Sequence, residues 1–247
     1  VREEEDGVEL YSHIGTGNYH SETAKRYEDL GLFTANRRIG QDLVQLFNYF
    51  TGNSEHDRYR ELLIAPGNMR ERFVEQIRRE AEHARAGKPA KITAKMNRLE
   101  DPEIVEELYR ASQAGVEIDL IVRDICRLRP GLDGVSENIN VVSIVNRFLE
   151  HSRIFYFRNG GDEQVYIGSA DWMQRNLDNR VEAIVPIHDA QLQERLKHIL
   201  ELTLTDNTKA WELNSDGSYT QRRPGEDTAR NAQAQLIEEA KDRSRKG

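Results

Sequence analysis

Cysteine is nearly absent from this chain: Cys126 stands alone, so an internal disulfide is excluded and a reducing compartment is expected. Long apolar runs are missing too. Those at 116–122 and 140–145 fall far short of the ~20 residues that a membrane-spanning helix needs. The opening Val1-Arg2-Glu3-Glu4-Glu5-Asp6 has the wrong charge for a secretory signal and no apolar segment follows it, so a cytoplasmic location is expected. Positive charge is not in excess either. Asp and Glu number 43 against 35 Lys and Arg, a net charge of −8, which argues against a general nucleic-acid binder. A phosphate ligand stays open, because a local arginine cluster can sit in an acidic protein. Heptad arrays and solenoid repeats are lacking.

The composition that remains is globular, 37% hydrophobic and 32% charged, and 247 residues suffice for one large domain or two modest ones. Residues 7–14 alternate apolar and polar and read as a strand ending at Gly15-Thr16-Gly17-Asn18. Ile39, Leu43, Leu46, Phe47 and Phe50 have helical spacing, with Gly52 placed for a C-terminal cap. The polar stretch 53–57 reads as a domain boundary. Beyond it, strands are expected at 59–65, 92–96, 116–122, 141–145, 153–157, 164–169 and 181–186, and helices at 69–86, 103–114 and 190–204. The continuous apolar run 116–122 suits a strand covered on both faces. This order predicts an α/β fold, a mixed sheet flanked by helices and preceded by the end of a similar first domain. The divisions are 1–57, 58–215 and a polar tail, 216–247, expected to carry an exposed helix or to be partly disordered.

Two tetrapeptides share one form. Gly15-Thr16-Gly17-Asn18 and Gly168-Ser169-Ala170-Asp171 each close a predicted strand, which suggests a duplicated site. The second lies downstream of Glu150-His151-Ser152-Arg153 and a turn at Asn159-Gly160-Gly161-Asp162. On a strand, His151 and Arg153 would point to one face, and the hairpin would bring Ser169 and Asp171 beside them. An imidazole, a guanidinium and a hydroxyl facing one cavity suit an oxyanion such as phosphate.

This pattern resembles the phospholipase D superfamily, whose halves each carry His-x-Lys followed by a Gly-Ser-x-Asn strand end. Longer strings resemble the polyphosphate kinase family more specifically. They are Tyr11-Ser12-His13-Ile14-Gly15-Thr16-Gly17-Asn18-Tyr19, Thr23-Ala24-Lys25-Arg26-Tyr27-Glu28-Asp29-Leu30-Gly31-Leu32-Phe33-Thr34 and Phe47-Asn48-Tyr49-Phe50-Thr51-Gly52. Phe148-Leu149-Glu150-His151-Ser152-Arg153 and Ser169-Ala170-Asp171-Trp172-Met173-Gln174-Arg175-Asn176 continue the match, which runs from about residue 10 to residue 213. The resemblance implies a phospholipase D-like fold and an enzyme that transfers the terminal phosphate of ATP, reversibly, to inorganic polyphosphate through a phosphohistidine. It also implies homo-oligomers, ATP/ADP and polyphosphate as partners, and Mg²⁺ arriving with the nucleotide on ligands upstream. The family's nucleophilic histidine lies upstream of the Gly-Thr-Gly-Asn string in a His-x-Lys motif. Here only His13 precedes Gly15, too close and without the lysine, so the nucleophile is expected outside this sequence and the chain alone is expected to be inactive.

Residue by residue, Tyr27 matches a tyrosine that contacts ATP and Arg123 an arginine on its phosphates. His151 matches the second family histidine, which contacts nucleotide phosphate and is a candidate acid or base. Arg153, Ser169, Asp171 and Asn18 take supporting places. Where the superfamily has Lys and Asn, this chain has Arg153 and Asp171. A carboxylate would repel phosphate, so Asp171 is expected to orient His151 or Arg153. Plainer readings apply elsewhere: His13, His20, His56, His83, His188 and His198 as ordinary structural side chains, Cys126, Trp172 and Phe157 as core, and no metal cage among these residues. Two other functions fit the same site: a phospholipase D-like phosphodiesterase, for which His-x-Lys would be expected, and a non-catalytic phosphate-binding module.

Overall fold

The computed structural model describes residues 1–5, 7–52 and 59–246. The boundary expected at 53–57, and His56 within it, lie outside the described residues. The first segment contributes β1 (Arg2–Glu4), β2 (Gly7–Glu9), β3 (Ser12–Gly15), β4 (Tyr27–Glu28), β5 (Gly31–Thr34) and α1 (Arg37–Phe50). There follow β6 (Leu63–Ala65), α2 (Met69–Arg85), β7 (Lys91–Met96), α3 (Pro102–Gln113), β8 (Glu117–Val122) and β9 (Ile139–Ile144). The chain continues with β10 (Leu149–Glu150), β11 (Ile154–Phe157), β12 (Gln164–Gly168), α4 (Gln174–Asn179), β13 (Glu182–Pro186) and α5 (Ala190–Leu204). It ends in β14 (Ala210–Leu213), β15 (Tyr219–Gln221) and α6 (Ala232–Lys246).

Nine of these strands form one mixed sheet in the order β15-β14-β9-β8-β7-β11-β12-β13-β6. β7, β8 and β9 are parallel and the other pairs antiparallel. Consequently the C-terminal ends of β7, β8 and β12 and the starts of β11 and β13 meet at one edge, where an open α/β sheet offers a crevice. Local chemistry punctuates the helices. Asn36 caps α1 by accepting from the Arg38 and Ile39 N–H groups, and Gly52, at φ +74°, closes it. Asp101 caps α3, with Pro102 in its first turn.

Both sheet faces are covered, as the apolar run at β8 requires. On β11, Phe155 and Phe157 point to the face under α2 and α3, while Ile154 and Tyr156 join Ile199 and Leu200 of α5. Ile14, Ile39 and Leu46 from the first segment belong to this second cluster, so that segment shares a core with the main sheet.

Several expected boundaries shift for identifiable reasons. Residues 7–14 split into two strands because β2 pairs with β1 whereas β3 pairs with β5. The strand expected at 59–65 shrinks to β6: the Asp42 carboxylate accepts the N–H groups of Arg60, Glu61 and Leu62, which are then lost to the ladder. The stretch after 216 carries the helix expected there, α6, and also a strand that was not expected. β15 extends the sheet beside β14, a strand absent from the sequence reading, and α6 packs on α5 through Glu239, which accepts from Arg195 and pairs with His198 at 2.8 Å. Phe155 is fully buried, its ring 4.7 Å from that of Phe73 and 5.1 Å from that of Trp172. Phe155→Ala should therefore lower the unfolding free energy by about 3–5 kcal/mol, measured by urea titration; a loss below ~1 kcal/mol would show that this aromatic cluster does not hold the sheet.

Candidate active site

At the sheet edge defined above lies a cavity of about 190 Å³. Its lining includes His151, five arginines (Arg98, Arg123, Arg153, Arg175 and Arg180) and a single carboxylate, Asp171. Such an excess of cations in an acidic protein selects anions with several oxygens.

Arg153 and Asp171 form its floor. The guanidinium donates from Nε to Asp171 Oδ1 at 3.0 Å and from Nη2 to Oδ2 at 3.2 Å, and both residues are buried. Nη1 donates to the carbonyls of Thr16 at 3.1 Å and His151 at 2.9 Å, tying the first segment to the second. Asp171 also accepts the Asn97 N–H at 2.8 Å and the Asn97 side-chain amide at 3.2 Å. Its charge is thus fully engaged, and of the two expected partners it orients Arg153, not His151.

His151 is held by a residue the sequence reading missed. Its Nδ1 lies 2.8 Å from Asp29 Oδ1 and 3.3 Å from Arg153 Nη1, and its Nε2 3.1 Å from Arg153 Nη1. A carboxylate can only accept, so Nδ1 carries the proton and Nε2 is the acceptor. The Tyr27 ring stands 4.8 Å from the imidazole, tilted by 46°. His151 does not lie on a strand with Arg153, as the sequence had suggested. The chain leaves β10 at Glu150 and enters β11 at Ile154, so both residues lie in the connection between these strands, with Arg153 Nη1 close to both ring nitrogens.

Arg123, at the end of β8, donates from Nε to the neutral Asn97 Oδ1 at 2.9 Å. Two carboxylates near it in sequence are engaged elsewhere, Asp124 with Arg98 and Asp119 with Lys91. Burial pushes the Arg123 guanidinium below its ordinary value, with Arg153 adding to the effect, although arginine stays charged. Ser169 and Asn18 depart from expectation. Ser169 donates to Glu182 rather than standing beside His151, and Asn18 is exposed, accepting the His20 N–H.

The duplication suspected from the tetrapeptides is present at atomic level. Thr16 Oγ1 donates to Asp29 and accepts the Leu30 N–H; Ser169 Oγ donates to Glu182 and accepts the Ala183 N–H. Both carboxylates follow their hydroxyl by 13 residues. That spacing was the available signal for Asp29 and Glu182. Burial raises the Glu182 carboxyl above its ordinary value.

Beneath the site, the buried Lys95 of β7 donates to Glu28 at 3.0 Å and Ser152 Oγ at 2.7 Å and pairs with Glu150 at 2.9 Å. Burial alone would lower its ammonium, but the two carboxylates outweigh burial and hold it above the usual lysine range. Burial would likewise raise Glu28, but Lys95 and Ser152 prevail and hold it below its ordinary value.

Together these features define an α/β domain with a duplicated hydroxyl–carboxylate motif and an arginine-lined cavity that holds one histidine. Residues 62–235 match the family model described as polyphosphate kinase C-terminal domain 2, and residues 1–56 match polyphosphate kinase C-terminal domain 1. The chain belongs to the polyphosphate kinase family. It is 58% identical over 224 residues to a polyphosphate kinase of Synechocystis sp., covering 91% of this chain and 31% of that protein. It is 52% identical to one of Pseudomonas aeruginosa, with 96% and 35% covered. The crystal structure of polyphosphate kinase from Porphyromonas gingivalis superposes with a TM-score of 0.92 at 41% identity, over 97% of this chain and 37% of that one. The chain thus spans about one third of the length of the relatives it matches. No helix among the described residues is long and apolar enough to cross a membrane.

Lys95→Met leaves two buried carboxylates facing each other, and at pH 7 it should cost about 3–5 kcal/mol. Glu28, lowered in the folded wild type, contributes stability that is present above 4.5 and lost as pH falls through its folded value. In the variant the burial that raises Glu28 is no longer opposed by Lys95, so proton uptake as pH falls relieves part of the cost. The gap between the thermal midpoints of wild type and variant should therefore narrow from pH 7 to pH 4; a constant gap would contradict the charge assignment.

Proposed function

We propose that this chain forms the second half of the phosphoryl-transfer site of an ATP:polyphosphate phosphotransferase, with the nucleophilic histidine supplied by residues outside the sequence. One observation carries the reading: five arginines converge on a cavity in which His151 is oriented by a carboxylate from the first half. In the proposed reaction the γ-phosphorus of ATP forms a bond to the nucleophilic imidazole nitrogen as its bond to the ADP oxygen breaks. The phosphoryl group then passes to a terminal oxygen of polyphosphate, and the imidazole is released.

Arg123 and Arg153 would neutralise the equatorial oxygens during transfer, which is most of what this chemistry asks of a protein. His151, held by its Nδ1–H against Asp29, would take up a proton from solvent at Nε2 and donate it to the ADP oxygen as the bond to the γ-phosphorus breaks. Tyr27 would offer its ring to the nucleotide. Glu182 stands in the second half where Asp29 stands in the first, and in this reading it orients the incoming histidine as Asp29 orients His151. The residues here do not fit Mg²⁺ as direct ligands. The one carboxylate of the cavity is taken by Arg153 and Asn97, and among the described residues no group of three acidic, histidine or cysteine side chains could hold an ion. Mg²⁺ would enter on the nucleotide phosphates.

The test uses the full-length protein. His151→Ala should lower polyphosphate synthesis from Mg-ATP by about 10²-fold or more while [γ-³²P]ATP still labels an acid-labile, base-stable phosphohistidine. Synthesis at the wild-type rate would remove His151 from the chemistry. Hydrolysis of bis(p-nitrophenyl) phosphate without polyphosphate synthesis would move the protein to the phosphodiesterases.

A further inference from the structure

The start of α6 reaches back to the backbone immediately before His151. Gln233 Oε1 accepts the Phe148 N–H at 2.9 Å, and its Nε2 donates to the Phe148 carbonyl at 2.8 Å and to Glu150 Oε1 at 2.6 Å. Beside it, Asn146 Nδ2 donates to Asn231 Oδ1 at 2.9 Å. Gln233 is only 4% exposed. One side-chain amide therefore meets both backbone groups of Phe148, as a neighbouring strand would.

On its other side this segment pairs with β4, through Leu149 N–H to the Arg26 carbonyl at 2.9 Å and His151 N–H to the Glu28 carbonyl at 3.3 Å. The ladder is two residues long, too short to hold its own register. Yet that register decides whether His151 Nδ1 reaches Asp29 and whether its ring meets Tyr27. Charge points the same way. Glu28 and Glu150 share one lysine, so the cluster holds one carboxylate more than it has ammonium. Gln233 supplies a neutral N–H to Glu150 Oε1, while Lys95 pairs with Oε2.

We propose that Gln233 is a positioning residue: α6 clamps residues 148–150 against β4 and thereby sets His151 between Asp29 and Tyr27. The C-terminal helix is then part of the catalytic apparatus. The clamp stands on geometry alone, whereas its effect on turnover rests on the phosphotransferase reading above.

The test compares wild type with Gln233→Met, which keeps length and volume but has no N–H, in the full-length protein. Hydrogen exchange in a peptide spanning 148–152 should accelerate about tenfold while peptides from β7, β8 and β9 are unchanged. kcat for polyphosphate synthesis should fall about tenfold with KM for ATP within about twofold. Unchanged exchange at 148–152 in a folded variant overturns the clamp, as does uniform acceleration across the sheet, which would make α6 a general stabiliser. If Gln233→Met fails to fold, Gln233→Asn, one methylene too short to span both partners, is read in the same way. A wild-type protein that makes no polyphosphate defeats the phosphotransferase reading instead, and the exchange result still judges the clamp.

Discussion

The buried ion pair of Arg153 with Asp171 is the interaction on which the rest of the site depends. Two parallel hydrogen bonds fix the plane of the guanidinium, and its remaining nitrogen holds a carbonyl from each half of the chain. Breaking such a pair strands a charge away from water. The end of β3, the start of β11 and the end of β12 are thereby locked at one point, and the cavity lies above that point. Asn97, bonded to both Asp171 and Arg123, extends the lock to β8. The cationic groups of the cavity are held from behind by bonds within the protein.

Much of the fold was legible because the physics of its core is local. The β8 run is continuously apolar since both faces are covered, and α3 announces itself by Asp101-Pro102 and Gly115. Elements that depend on a distant partner were hidden. β6 is short because Asp42, in α1, takes the N–H groups of Arg60, Glu61 and Leu62 just before it. β14 and β15 are only four and three residues long, too short to read as strands, and they form one edge of the sheet. Propensity gives no warning of such effects.

The site shows the same division. His151, Arg153 and Arg123 stand inside long motif strings, and the cavity brings them together. Asp29 sits beside Tyr27 in plain view, but nothing in the order of residues says that it faces an imidazole 122 positions away. Lys95 is harder still. Within 91–96 it looks like a polar side chain turned to solvent, whereas it is buried because two carboxylates from other segments converge on it. Long-range electrostatics decides these roles, and the sequence records only the residues that take part.

The state of Arg123 carries a thermodynamic consequence. Its charge is partly removed from water and answered by the dipole of an amide, so among the described residues it has no ion-pair partner of its own. An anion that enters would supply one. On the phosphotransferase reading, an anion bound there would stabilise the folded state, more so with each tenfold rise in its concentration above the dissociation constant.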